Sequence, residues 1–192
     1  MRRGLFGRVA RLSLVLLCGA CASRKEEAAP PPATQASAPT PEAAPMAVTL
    51  ECEMSVAPRL RVGEPVELKF KLRNATSEPL SVLTWQTPLE GLFNKYLKVT
   101  RDGAEVSFSG PTMKRGDPGA DAYVTLEPGA AKEATVEISL AYDFTQPGNY
   151  RIEFRNHLMD VAPKGAALPR PLPEHQSATL KCPVVETVLA AQ

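Results

Sequence analysis

Val66-Glu67-Leu68-Lys69-Phe70-Lys71-Leu72-Arg73 alternates apolar and charged side chains for eight residues without a break. Successive side chains of a strand point to opposite faces, so this period of two places Val66, Leu68, Phe70 and Leu72 on a dry face and the four charges in water. A helix would scatter both classes around its axis. Outward from this stretch the pattern recurs. Val48, Leu50, Cys52 and Met54 share a face, with Glu51 and Glu53 opposite, so Cys52 points inward. Ala134, Val136, Ile138 and Leu140 alternate, as do Tyr150, Ile152 and Phe154 after the Pro147-Gly148 turn. Leu80 to Trp85 is a mostly apolar strand and Tyr123 to Leu126 a short one, stopped by Glu127-Pro128-Gly129. Tyr96 to Thr100 and Glu105 to Phe108 flank Asp102-Gly103, a hairpin signal because this dipeptide readily takes positive φ. Asn74 to Pro79 is turn chemistry that ends the central strand, and Ser177 to Val185 supplies a last strand carrying Cys182. No long segment has helical period. The pattern predicts an all-β domain, an antiparallel two-sheet β-sandwich of about seven to nine strands over residues 47–187, with 188–192 as a C-terminal tail.

The first 46 residues read differently. Arg2, Arg3, Arg8 and Arg11 precede a short apolar run, Leu12 to Leu17, and then small residues, the organisation of an export signal. The run is too short to span a bilayer. Cys18-Gly19-Ala20-Cys21 resembles the bacterial lipobox, which implies a signal peptide over 1–20, acylation of Cys21 and a lipid-anchored cell-envelope protein. Cys18 is the rival acceptor, but Leu17 precedes it where Gly or Ala is usual; simple secretion is the alternative location. Ala22 after the acceptor, rather than Asp, is compatible with the outer membrane. From about Ala22 to Pro45 the chain is mostly Ala, Pro, Ser, Thr and Glu around Pro30-Pro31-Pro32, too poor in large apolar residues to offset ordering entropy, and residues 21–46 are expected to form a disordered, semi-stiff tether. Removal of Cys18 and acylation of Cys21 leave Cys52 and Cys182 as an even pair in an oxidising compartment, either bridged or separately buried as thiols.

Lys plus Arg (22) nearly balances Asp plus Glu (21) in 192 residues, so no overall basic field gathers phosphates, and nucleic acid is not an expected partner. No catalytic constellation emerges. A zincin helix needs two histidines four apart with a glutamate between them, whereas His157 and His175 stand alone in a Pro-rich stretch. His157 with Asp160 reads better as two solvated loop residues than as metal ligands, and no cofactor is expected. Arg115-Gly116-Asp117 and the glycosylation-like Asn74-Ala75-Thr76 are short enough to arise by chance. Trp85 is expected in the core. The aperiodic stretches 86–95, 109–122 and 157–176 are where a site belongs, because long loops in compact domains tend to be functional or mobile.

Leu83-Thr84-Trp85-Gln86-Thr87-Pro88-Leu89-Glu90-Gly91-Leu92, then Val99-Thr100-Arg101-Asp102-Gly103, Gly110-Pro111, Lys114-Arg115 and Ala122-Tyr123-Val124, with Ala141-Tyr142-Asp143 and Pro147-Gly148-Asn149-Tyr150, stand in one order over residues 47–156. This series resembles the N-terminal β-domain of peptidyl-Lys metalloendopeptidases. The resemblance implies an immunoglobulin-like sandwich that accompanies a zinc peptidase, and no His-Glu-x-x-His motif occurs here. The expectation is therefore a non-enzymatic, membrane-tethered module that binds an exported peptidase or its substrate through loops 86–95 and 109–122, with Leu89, Glu90, Leu92, Lys114 and Arg115 as contacts. A structural envelope lipoprotein without a specific ligand is the rival, and a small hydrolase with an unrecognised site the third reading.

Overall fold

The computed structural model describes residues 50–192; the signal segment, Cys21, the tether and Val48 lie outside them. Thirteen strands follow one another: β1 (Leu50–Ser55), β2 (Arg59–Arg61), β3 (Glu67–Asn74), β4 (Leu80–Leu83), β5 (Leu97–Arg101), β6 (Ala104–Val106), β7 (Tyr123–Leu126), β8 (Ala131–Glu137), β9 (Gly148–Phe154), β10 (His157–Leu158), β11 (Val161–Pro163), β12 (Ala178–Thr179) and β13 (Val185–Ala190). The count exceeds seven to nine because five of these are only two or three residues long.

β3 is the centre of a β1-β3-β8 sheet, with Leu68, Phe70 and Leu72 buried and its charged residues on the opposite face. Facing it is a five-stranded sheet of order β2-β13-β9-β5-β6, whose middle strand β9 buries Tyr150, Ile152 and Phe154. The rings of Phe70 and Phe154, one from each sheet, lie 5.9 Å apart. Removing a side chain of this size from water contributes about 1.5–3 kcal/mol, which is why the alternation decides the fold. The first strand divides between the sheets: β1 pairs with β3, and after Pro58 β2 pairs with β13, the one parallel pairing among the described strands. The Tyr150 hydroxyl donates to Gln146 O at 2.8 Å, the corner found at the start of the equivalent strand in immunoglobulin-like sandwiches. The architecture is an immunoglobulin-like β-sandwich.

Asn74 to Pro79 ends the central strand, as expected, but the chain does not turn back on it. Asn74 N donates to Ala130 O and Gly129 N to Asn74 O, residues 75–79 loop out, and pairing resumes as β4 against β7. β11 joins the far side of β4. The 3-10 turn Pro88–Glu90 beyond β4 packs against β8. In a straight ribbon, at ~3.3 Å per residue, these segments would stand roughly 30 Å apart, so the ribbon bends back at Asn74. That residue is fully buried, and its amide donates to Glu78 O (2.8 Å) and Leu126 O (2.9 Å) and accepts from the Thr76 amide and hydroxyl. The glycosylation-like triplet is thus an internal stitch of the corner.

Other expectations shift at element ends. β8 stops at Glu137, and a 3-10 turn, Ile138–Leu140, leaves Leu140 73% exposed instead of facing inward. The last strand is Val185–Ala190, so residues assigned to the tail belong to the sheet, while 177–185 holds only the two-residue β12 before it. Cys182 stands outside any strand but is bonded to Cys52 of β1, with Cα atoms 4.9 Å apart and 130 residues between them. Of the two arrangements open to this pair, the bridged one is present.

Candidate functional site

The two loops singled out by length meet each other. Loop 86–95 begins with Gln86 at φ 57° and continues into Pro88–Glu90, capped by Thr87, whose hydroxyl accepts from Leu89 N at 3.2 Å and donates to Thr84 O at 2.6 Å. Gly91 leaves the turn at φ 97°, a conformation that disfavours any side chain. Its carbonyl accepts from the Tyr96 hydroxyl at 2.8 Å. From loop 109–122, Pro111 O accepts from Asn94 N, and Met113 N donates to Asn94 Oδ1 at 3.0 Å.

Arg115 closes the join. Its guanidinium is ion-paired with Glu90 and lies 4.7 Å above the Trp85 ring, a cation–π placement. The second Glu90 oxygen accepts from Gln86 N at 2.7 Å. Trp85 is buried, as its expected core role requires. Leu89 and Leu92 are half-buried against the core cluster. Of the five residues proposed as partner contacts, Glu90 and Arg115 therefore hold one another and the two leucines hold the loops to the core, while Lys114 is exposed next to Met113, itself 45% exposed. Arg115-Gly116-Asp117 is not a free display either, since Asp117 Oδ1 accepts from Leu172 N at 2.9 Å.

A second polar cluster was not foreseen. Asp160, read as a solvated loop residue, has no exposure at all. Its carboxylate accepts from the Tyr123 hydroxyl (2.7 Å), Arg170 Nε (3.1 Å), Arg170 Nη2 and Gln176 N (2.8 Å). Arg170 also donates to Val161 O, and its own carbonyl contacts His175 Nε2 at 3.2 Å. These bonds strap residues 164–176 across the sheet containing β4 and β7. Burial pushes the Asp160 carboxyl up, but the bonds from Arg170, Gln176 and Tyr123 outweigh it and hold the group below its usual range. The Tyr123 hydroxyl is pushed up to about 12 by burial first and by the Asp160 carboxylate second. His157 is exposed on β10, apart from any such network, while His175 is half-buried. Among the described residues no group of three His, Cys, Asp or Glu side chains is arranged to hold a metal.

No protein-family model matches the chain. An extracellular protease of Aeromonas hydrophila is 32% identical to it over 105 residues, which is 54% of this chain and 29% of the protease. The chain thus spans less than a third of that relative's length. Solved structures that align with it include the CARDB domain of a Pyrococcus furiosus protein, at 15% identity and a TM-score of 0.30 over 75% of this chain and 93% of that one. Another is a PapD-like domain of human CEP192, at 13% identity and a TM-score of 0.37 over 84% and 99%.

Proposed function

We propose that this chain is a lipid-anchored, non-catalytic binding module, related to the accessory β-domain of a secreted peptidase, that engages an exported peptidase or its substrate through the joined loops 86–95 and 109–122. The observation that carries the reading is the 32% identity to part of an extracellular protease. The loop geometry supports it. Each hydrogen bond between the loops, and the Glu90–Arg115 pair, fixes backbone that would otherwise have to be ordered on binding, and preorganisation lowers that cost. Arg115 is thus a positioning residue, with Met113 and Lys114 as the exposed tip. Anchoring through Cys21 rests on the lipobox resemblance and on the extended composition of the tether.

Two experiments test it. Cys21→Ala should move the protein from the membrane to the soluble exported fraction, and unchanged partition removes the anchor from the proposal. In capture assays with a co-exported peptidase, Lys114→Glu should weaken binding without changing the melting temperature. Arg115→Glu should weaken binding and lower the melting temperature together, because it places a second carboxylate against Glu90 and vacates the Trp85 face. Capture indifferent to Lys114→Glu overturns the loop assignment, and zinc-dependent peptide hydrolysis by the purified chain overturns the non-catalytic reading.

A further inference from the structure

The sandwich has a groove at the end opposite the one where the chain enters it. β1 begins at Leu50 paired with Asn74, whereas the groove is built by the turn into β3 and by the far end of β8, where Glu67 pairs with Glu137. Its volume is about 680 Å³, within the roughly 300–1,000 Å³ usual for ligand clefts. Val62, Pro65, Tyr142 and Phe144 supply its apolar surface. Leu140, midway in sequence between Glu137 and Asp143, is the most exposed of the large apolar side chains described.

Three carboxylates line the same groove, Glu64, Glu137 and Asp143, and no lysine or arginine does. None of the three is in an ion pair among the described residues. Each makes only local hydrogen bonds: Glu64 accepts from Arg61 N, Glu137 from the Ser139 hydroxyl, and Asp143 from the Thr145 amide and hydroxyl. Arg101 influences Asp143 from outside the groove. Some exposed carboxylates elsewhere on the domain do have a cation beside them, as with Arg73–Glu51 and Lys71 between Glu53 and Glu133. An apolar-lined cleft with an uncompensated negative rim is complementary to a cation carried on an apolar chain.

We propose that this groove receives a short segment of another protein in which a lysine or arginine stands beside an apolar residue. The inference deepens the reading above, from which it takes another exported protein as the partner. A second copy is a poor occupant, because a two-fold interface would set one acidic groove against the other.

The test uses the full chain in detergent and two labelled, end-capped peptides, Ala-Lys-Leu-Lys-Ala and Ala-Glu-Leu-Glu-Ala, read by fluorescence anisotropy. The lysine peptide should bind and the glutamate peptide should not. The double variant Glu137→Gln with Asp143→Asn keeps the local hydrogen-bond acceptors and should weaken lysine-peptide binding about tenfold, the scale on which loss of charge complementarity acts. Equal binding of both peptides, an unaffected double variant, or no binding of the lysine peptide would overturn the groove. Its failure is separable from that of the loops: a Lys114→Glu variant that no longer captures a peptidase but still binds the lysine peptide supports the groove on its own.

Discussion

Replacing Asp160 by alanine should be among the most damaging single changes in the domain. The carboxylate is completely buried and accepts four hydrogen bonds, two of them from Arg170, whose side chain is only 11% exposed. Without Asp160 the guanidinium is left buried with only Val161 O to receive it, and breaking one side of such a pair costs about 3–5 kcal/mol. Against a total stability of about 5–15 kcal/mol for an ordinary domain this is a large fraction. With a urea dependence of about 2 kcal/mol per molar, the unfolding midpoint should fall by about 2 M. Arg170→Met in the Asp160→Ala background should cost much less than the sum of the single changes, because the cation that needs a partner is gone. Equilibrium urea unfolding of the four proteins gives the cycle, and a loss under about 1 kcal/mol for Asp160→Ala would refute the strap as a stabilising element. The pH dependence has a definite sign. A depressed carboxyl contributes fully above its unfolded value of about 4 and loses the contribution as pH falls through the folded value. Wild type should therefore lose stability in acid below about pH 4, and Asp160→Asn should lack that part of the slope.

Three further outcomes are expected. Cys52→Ser with Cys182→Ser should lower stability by up to about 5 kcal/mol, the chain-entropy value for a loop of this size, read by denaturant unfolding; a change under about 1 kcal/mol would mean that the unfolded chain is already constrained. The Tyr123 phenol, pushed up to about 12, stabilises the folded state fully below its unfolded value of about 10 and ceases to as pH rises through about 12. In Asp160→Asn the phenolate absorbance should therefore appear at lower pH than in wild type, and superimposable titrations would detach Tyr123 from Asp160. Arg115→Met should change the fluorescence of Trp85, the single tryptophan, by removing the cation from its face, and an unaltered spectrum argues against the stacked geometry.

How far the sequence carried the fold depends on where the physics is local. The alternation in β3 and β9 is a statement about two faces and needs no knowledge of the partner strand, so it was legible residue by residue. The fate of Asn74 was not. Asn, Ser and Pro in 74–79 have the same chemistry whether a strand reverses or bulges and resumes, and only Leu126, 52 positions away, decides between them by accepting the buried amide. Leu140 follows the same logic: Ile138 continues the alternation, but a single 3-10 turn reverses the side that the next apolar residue takes. Loop length drew attention to 86–95 and 109–122, which touch each other through Asn94, yet a charged loop residue in a sequence reads as solvent-facing by default. Glu90 and Arg115, 25 positions apart, become a half-buried ion pair only when Trp85 supplies the floor for the guanidinium. Asp160 is the strongest case, because a lone aspartate next to Val161, Ala162 and Pro163 gives no sign of its partner. Its burial was nevertheless encoded: Leu158, Val161 and Ala162 are all buried around it, and a charge between such neighbours is tolerated only when paired. Arg170 is the one arginine in the following Pro-rich stretch, with Lys164 its only other lysine or arginine, so the apolar flanks of Asp160 together with those two cations were the available signal. An aspartate flanked by core residues should be searched for a cation within the next loop before it is assigned to solvent.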